Sequence, residues 1–127
     1  MRLYKNGWFE KYTRKEKISD QALCDAVSRA ERGLVDADLG GGLIKQRVAR
    51  PGAGRSGGYR VMVFYRSGDR AVFVYGFAKS DRANLNRDEV ATFQAAAKVV
   101  LGLSQAQMTA EVAAGRWTEM RCDDQDL

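Results

Sequence analysis

The sequence predicts an α+β domain in which helices surround a small antiparallel sheet of three or four strands. Two kinds of pattern support this fold class. The central part of the chain holds three runs rich in Val, Ile, Phe and Tyr, bounded by Gly, Pro, Ser or Asp, which is typical of strands. The segments before and after it carry apolar residues at helical spacing. With 127 residues, the chain is long enough for one domain with its own core.

Two helices are predicted ahead of the sheet. Residues Met1–Lys5 alternate only weakly, so they form either a short strand or an unstructured lead-in. Three aromatic residues share one face of the first helix: Trp8, Phe9 and Tyr12. A second helix begins at the N-cap Ser19 and ends near Gly33. We interpret residues 8–33 as a helical hairpin whose aromatic and aliphatic stripes pack on the sheet and form no ligand site.

The three central strands are predicted at Leu43–Arg50, Tyr59–Arg66 and Arg70–Lys79. The joint over residues 67–69 (SGD) is so short that its flanking strands should pair as an antiparallel hairpin. Side chains alternate between the two faces of a strand. The residues expected to share a face are Lys45 with Arg47, Arg60 with Met62 and Phe64, and Phe73 with Tyr75, Phe77 and Lys79. Both faces of the last two strands are largely apolar, so we expect partial cover on both sides.

Two further helices and a short C-terminal segment follow the sheet. Asn86 opens a helix with a capping box that ends at Gly102, and Ser104 opens a shorter helix to about Gly115. Residues 117–122 either add a short strand or simply pack on the domain. The predicted organisation is a single domain over 1–127, with a core over about 1–103, a C-terminal extension over 104–122 and an acidic, frayed tail over 123–127.

The positive charge of the chain is concentrated in the predicted sheet. Nine Lys and Arg residues and two Asp residues lie between Gly40 and Arg82, a balance of +7, whereas the whole chain carries +5. The remainder of the chain is therefore slightly acidic. A charge concentrated in this way favours a polyanionic partner such as a nucleic acid, although a basic surface without a function is the alternative.

Several classes of chemistry and location are excluded or disfavoured. The chain has no histidine, so Ser–His and Cys–His catalysis and His-ligated metal sites are excluded. Cys24 and Cys122 are too few and too far apart to suggest a disulfide framework, and we expect reduced thiols. No run approaches the roughly 18 apolar residues of a membrane span, and the N-terminus has no apolar signal core. We therefore expect a cytoplasmic protein with no membrane partner.

Four cations on the predicted strands are the candidate catalytic residues: Lys45, Arg47, Arg60 and Lys79. If they meet, their mutual repulsion favours a neutral lysine amine near pH 7, while the arginines stay charged and can hold a phosphate. The alternative is that these are solvated strand residues with no joint role.

The loop at residues 52–57 formally matches the pattern G-x-G-x-x-G. It lies between two strands, opens no helix and lacks a terminal Gly-Lys-Ser/Thr, so we reject a nucleotide-binding loop. A basic loop that follows a nucleic-acid backbone is favoured over a merely flexible connection.

Three motifs stand in fixed order in the central stretch: residues 41–49 (GGLIKQRVA), 52–60 (GAGRSGGYR) and 75–85 (YGFAKSDRANL). Together they resemble the RelE/HigB-type toxins of bacterial type II toxin–antitoxin systems, and more narrowly the HigB-2-like branch. The likeness is sharpest over residues 40–85, and the region after Leu103 falls outside it. The resemblance implies a RelE/ParE-like fold, with an N-terminal helical hairpin on the sheet and one or two C-terminal helices.

The resemblance also implies a function. Such toxins are mRNA interferases, endoribonucleases that inhibit translation, are typically ribosome-dependent and use no metal or other cofactor. The implied partners are a cognate antitoxin, often of helix-turn-helix type, mRNA and the ribosome, with DNA contacted only through the antitoxin complex. Carried over by motif, Lys45, Arg47, Arg60 and Lys79 are catalytic, with Lys45 or Lys79 as the base. The implied RNA-binding residues are Arg50, Arg55, Tyr59, Tyr75 and Arg82, and Tyr59 or Tyr75 would stack on a base.

Two other functions fit parts of the pattern. A ParE-like member of the same superfamily would inhibit DNA gyrase without cutting RNA, and it would share the fold. The retained basic residues Lys45, Arg47 and Arg60 argue against this branch. A non-catalytic nucleic-acid-binding protein would use the same basic block for phosphate contacts.

Overall fold

A computed structural model describes residues 1–50 and 54–122, and for residues 54–56 it describes the backbone only. The strands in this part of the chain are β1 Arg2–Asn6, β2 Ala37–Gly40, β3 Leu43–Arg50, β4 Gly54–Arg66, β5 Arg70–Ala78 and β6 Trp117–Met120. The helices are α1 Gly7–Glu16, α2 Asp20–Glu31, α3 Arg87–Leu101 and α4 Gln105–Ala113. The α+β class is confirmed, and β3 and β5 lie within one residue of their predicted bounds. β4 begins at Gly54 and not at the predicted Tyr59, so residues 54–58 of the predicted loop belong to a strand.

All described strands belong to one mixed sheet with the order β2-β3-β4-β5-β1-β6. Neighbouring strands are antiparallel except β1 and β5, which are parallel. The predicted antiparallel sheet of three or four strands was therefore too small. The reason is that β1 lies inside the sheet, where both Leu3 and Tyr4 are buried, so its sequence does not alternate clearly. The C-terminal segment does add a strand, β6, which pairs with β1.

Helices cover both faces of the sheet. On one face, α1 and α2 form a core cluster with the sheet that includes Phe9, Leu23 and Val61. On the other face, α3 and α4 form a second cluster that includes Met62 and Leu101. The placement of the C-terminal helices across the sheet from the N-terminal pair was not part of the predicted architecture.

Local sequence signals explain where the helices begin. The side chains of Ser19, Asn86 and Ser104 each accept a hydrogen bond from a backbone N–H of the first turn, and the last two form full capping boxes. These three N-caps confirm the sequence prediction. The cap of α1 is Asn6, whose Oδ1 accepts from the Phe9 N–H at 2.8 Å.

The aromatic residues of α1 do not all face the core. Phe9 is buried, Tyr12 is half-buried, and 45% of Trp8 is exposed. The prediction that all three pack in the core was wrong for Trp8, because consecutive residues of a helix point about 100° apart. Trp8 instead stacks on Tyr12 at the surface, with ring centroids 5.0 Å apart.

A β-bulge changes the face of β5 part of the way along the strand. Met62 of β4 pairs with Tyr75, but the next residue, Val63, pairs with Phe73, so Val74 is left over. Phe73 consequently packs on the α1 side, whereas Tyr75 and Phe77 pack on the α3 side. The prediction that Phe73 shares a face with Tyr75 and Phe77 was wrong, because alternation assumes an unbroken ladder.

Cys24 and Cys122 form a disulfide bond, with their Cα atoms 5.9 Å apart. The prediction of reduced thiols was wrong. The two residues are 98 positions apart in sequence, but the C-terminal segment returns beside α2 after β6 pairs with β1.

None of the helices described combines the length and the apolarity needed to cross a bilayer. The acidic tail at 123–127 and residues 51–53 of the glycine-rich loop lie outside the described residues.

Candidate active site

Three predicted catalytic residues meet on the sheet face that carries α3. The cross-strand rows on this face are Arg47–Arg60–Phe77 and, next to it, Lys45–Met62–Tyr75. Residues directly opposite on neighbouring strands have Cβ atoms about 5 Å apart, and successive rows are about 7 Å apart. Lys45, Arg47 and Arg60 therefore form one compact group, which we call the basic sheet face.

Arg60 lies at the centre of the basic sheet face. Only 9% of its surface is exposed. Its Nη1 donates a hydrogen bond to the carbonyl of Tyr59 at 3.4 Å. Burial and the nearby Arg47 guanidinium lower the pKa of Arg60, and Asp36 opposes this shift. Because a guanidinium remains protonated at neutral pH, Arg60 supplies a fixed positive charge at the middle of the sheet.

Lys45 stands beside a cavity on the same face. Its Nζ donates a hydrogen bond to Asn84 Oδ1 at 2.7 Å, and its side chain is half-buried. The cavity has a volume of about 340 Å³ and is lined by Leu39, Lys45, Met62, Asn84, Leu85 and Val90. This size lies in the range of small-ligand sites, and the amine is one of few polar groups in its wall.

Arg47 has an acidic partner that the sequence analysis did not identify. Its Nη2 lies 3.2 Å from Asp36 Oδ1, and its backbone N–H donates to Asp36 Oδ2 at 2.6 Å. Arg29 also lies near Asp36, at 3.8 Å. Although burial alone would raise the Asp36 pKa, the hydrogen bonds and charge of Arg47 lower it overall. The negative charge of Asp36 therefore partly balances the positive charge of Arg47. The sequence did not indicate this pair because no short-range motif links positions 36 and 47.

Arg82 is built into the loop between β5 and α3. Its guanidinium forms a two-pronged ion pair with Glu89, with distances of 2.5 and 3.1 Å, and donates to the Asn84 carbonyl at 2.9 and 3.1 Å. It also lies over the Phe77 ring and 3.4 Å from the Tyr75 hydroxyl. These contacts fix the loop that carries Asn84, the residue that accepts the hydrogen bond of Lys45.

Tyr75 lies among other aromatic rings at the edge of the basic sheet face. Its ring centroid is 4.7 Å from that of Trp8, 5.6 Å from Phe93 and 6.1 Å from Phe77. The side chain is half-buried. Part of the Tyr75 side chain therefore remains exposed to solvent, with Met62 between it and Lys45.

The remaining residues that were predicted for the site lie away from the basic sheet face or outside the described residues. Tyr59 is only 3% exposed and points to the opposite face, where its hydroxyl donates to Glu16 Oε1 at 3.1 Å. Arg50 is exposed at the end of β3 and lies over the Tyr59 ring. Lys79 is exposed just past β5, and its backbone N–H donates to the Gly58 carbonyl. The side chain of Arg55 lies outside the described residues.

Within residues 1–50 and 54–122, no three His, Cys, Asp or Glu side chains are grouped so that they could hold a metal ion. The basic sheet face offers the amine of Lys45 and the guanidinium groups of Arg47 and Arg60. The amide of Asn84 and the phenol of Tyr75 lie beside it.

Comparison with known proteins supports the resemblance seen in the motifs. The family model described as "RelE toxin of RelE / RelB toxin-antitoxin system" matches residues 1–120, which include α4 and β6. A search of curated proteins finds no match. Toxins of this family pair with a cognate antitoxin. Because the match spans nearly the whole chain, the protein belongs to the RelE family and is a toxin of a toxin–antitoxin system.

Proposed function

We propose that this toxin is an endoribonuclease that cuts mRNA on the ribosome and so inhibits translation in the cytoplasm. The observation that carries the proposal is the register that sets Arg47 opposite Arg60, with Lys45 in the next row beside a cavity. An amine and two guanidinium groups at this spacing fit the needs of phosphodiester cleavage without a metal. From the three motifs we also assign the chain to the HigB-2-like branch, which would pair with a helix-turn-helix antitoxin.

In the proposed reaction, the neutral amine of Lys45 removes the proton from a ribose 2′-hydroxyl. The 2′ oxygen then attacks the adjacent phosphorus, and a pentavalent phosphorane forms. The bond to the 5′ oxygen breaks, and this oxygen takes a proton from solvent water. The products are a 2′,3′-cyclic phosphate and a 5′-hydroxyl end. We choose Lys45 as the base because it lies on the basic sheet face, whereas Lys79 stands beyond the end of β5.

Arg60 has the main role in stabilising the phosphorane. Its side chain is largely buried, so little reorganisation is needed when negative charge develops on the phosphate. Arg47 contributes a second charge, which is moderated by Asp36. A partly exposed Tyr75 stacks on a base beside the scissile bond, while Arg50 and Arg55 contact the backbone of the RNA. Tyr59 is left out of the site because it faces the other side of the sheet.

Single-turnover cleavage of an mRNA on translating ribosomes, with the purified toxin, tests this proposal. We expect Arg60→Ala to slow cleavage by a factor of about 100 to 1,000, which is typical for the loss of one charge-stabilising donor. Arg66→Ala is the matched control, because Arg66 is an exposed arginine of the same strand. A message with a 2′-deoxyribose at the cut site should resist cleavage, since its nucleophile is missing. Wild-type rates for Arg60→Ala would contradict the proposal.

A further inference from the structure

One side of α1 carries two aromatic rings and two lysines around a second cavity. Trp8, Lys11, Tyr12 and Lys15 occupy positions i, i+3, i+4 and i+7, which lie along one side of a helix. These four residues line a cavity of about 250 Å³ that is separate from the one at Lys45. We call this group the α1 site.

The two rings of the α1 site stack face to face near the surface. The planes of Trp8 and Tyr12 are 15° apart, which is a stacked arrangement. Burial raises the pKa of Tyr12, and the charge of Glu16 raises it further, so the phenol stays neutral. The indole of Trp8 is held by this contact but keeps 45% of its surface exposed. Since Tyr12 covers one side of the indole, the surface on which a nucleobase can stack is the part of the Trp8 ring that stays exposed.

The charged residues that line this cavity are two lysines, while Glu16 and Asp81 lie near enough to Tyr12 to raise its pKa. Lys11 and Lys15 are exposed, and neither forms a hydrogen bond or an ion pair with any residue in the described ranges. The neighbouring Arg14, by contrast, pairs with Glu10 at 3.1 Å. Among the nearby acids, Glu16 already accepts the hydroxyl hydrogen bond of Tyr59. The two lysine ammonium groups are therefore available for an anionic ligand.

The α1 site adjoins the basic sheet face. The ring centroid of Trp8 lies 4.7 Å from that of Tyr75, and Tyr75 stands in the same cross-strand row as Lys45. We propose that the α1 site binds a further nucleotide of the single-stranded RNA substrate, with its base on the exposed part of the Trp8 indole and its phosphate at Lys11 and Lys15. This inference rests on the ribonuclease function proposed above and extends the path of the RNA beyond the sheet.

RNA suits this surface better than a protein partner does. A docked protein would bury Lys11 and Lys15 together with the two rings. It would have to supply an acidic group for each lysine, because neither lysine has an ion-pair partner in the described part of the chain. A single strand presents flat bases next to phosphates, which match rings next to ammonium groups. The continuity with Tyr75 also favours the same ligand on both surfaces.

The test is a binding experiment with a short single-stranded RNA of mixed sequence whose riboses carry 2′-O-methyl groups, so that it cannot be cleaved. Trp117→Phe leaves Trp8 as the sole tryptophan, and its fluorescence should fall when the RNA binds. In the wild-type background, we expect Trp8→Ala to weaken RNA binding about tenfold and Trp8→Phe to restore most of the affinity, since it keeps a ring. Lys15→Gln should weaken binding and reduce its salt dependence, whereas Lys98→Gln, an exposed lysine of α3, should not.

The outcomes separate this inference from the proposed function. If the wild type cleaves mRNA but Trp8→Ala and Lys15→Gln bind RNA normally, the α1 site is not an RNA site and the ribonuclease proposal stands. If Trp8→Ala loses affinity together with thermal stability and Trp8→Phe does not restore it, Trp8 has only a packing role. If the wild type neither binds nor cleaves RNA, the proposed function and the α1 site both fall.

Discussion

At the scale of single residues, the cations on and beside the basic sheet face differ in the partners that they already have. Arg47 shares its charge with Asp36, and Arg82 is committed to Glu89. Lys45 has a neutral partner, the amide of Asn84, at 2.7 Å. The amide oxygen orients the Lys45 amine without placing a negative charge beside it.

This arrangement predicts the effect of placing a carboxylate beside Lys45. In Asn84→Asp, the added negative charge favours the ammonium over the neutral amine, so cleavage should be slower at neutral pH and should recover as the pH rises. Asn84→Ala should slow cleavage as well, because Lys45 loses its orienting contact, but without a comparable displacement of the pH–rate profile. The pH dependence of single-turnover cleavage by both variants measures this difference. A profile for Asn84→Asp that coincides with that of the wild type would contradict a role for Lys45 as the base.

The sequence predicted which residues share the basic sheet face better than it predicted their partners. Alternation along β3 and β4 correctly grouped Lys45 with Arg47 and Arg60 with Met62, because both strands are regular there. The ion pair of Arg47 with Asp36 depends on a contact between separate segments of the chain. The exposure of Trp8 depends on how α1 packs on the sheet. No local pattern in the sequence reports such contacts.

At the scale of elements, the β4–β5 hairpin is held against α2 by one carboxylate. Glu31 accepts hydrogen bonds from the Tyr65 hydroxyl, from Ser67 Oγ at 3.0 Å and from the Gly68 N–H at 3.0 Å. Burial alone would raise the pKa of Glu31, but these hydrogen bonds lower it overall from its ordinary value of 4.5. The contribution to stability is therefore complete above about pH 5 and is lost as the pH falls through the lowered pKa.

Glu31→Gln tests this contact. We expect the variant to lose about 1 kcal/mol of unfolding free energy at pH 7, where the charged acceptor is missing. The loss should shrink toward pH 3, because the wild-type carboxylate becomes protonated there. Urea unfolding across this pH range measures the difference, and Tyr65→Phe, which removes a single donor, should show a smaller version of it. Equal pH dependence in the wild type and Glu31→Gln would show that the carboxylate contributes nothing.

The elements that could be predicted are those with strong local signals. The caps at Ser19, Asn86 and Ser104 each occur within a few residues of the helix that they begin. The short strands β1 and β6 form by pairing across more than a hundred residues, and β1 is buried on both faces. The bulge at Val74 is likewise a property of two paired strands and not of one.

At the scale of the whole molecule, the disulfide joins α2 to the C-terminal end of the described chain. Cys24 lies in α2, and Cys122 follows the edge strand β6, so the bond closes a loop that contains most of the chain. Closing a long loop restricts the unfolded chain more than the folded one. A reducing compartment breaks most disulfides, so this contribution belongs to the oxidised protein.

Reduction of the disulfide should lower the unfolding free energy of the oxidised protein by about 2 to 4 kcal/mol. Urea unfolding with and without a reductant measures this, and alkylation followed by mass measurement counts the free thiols. The double variant Cys24→Ala/Cys122→Ala is the control, because its stability should not respond to the reductant. An equal stability of the oxidised and reduced wild type would contradict a stabilising role for this bond.

The central claim is that this toxin cuts translated mRNA with the cations of the basic sheet face. The most direct test is to induce the toxin alone in a bacterium and to map the 5′ ends of an abundant translated message by primer extension. We predict growth arrest with new 5′ ends in phase with codons, and the loss of both in Arg60→Ala but not in Arg66→Ala. Arrest without new 5′ ends, with signs of DNA damage, would contradict the claim and indicate a gyrase inhibitor. New ends that persist unchanged in Arg60→Ala would contradict the proposed site.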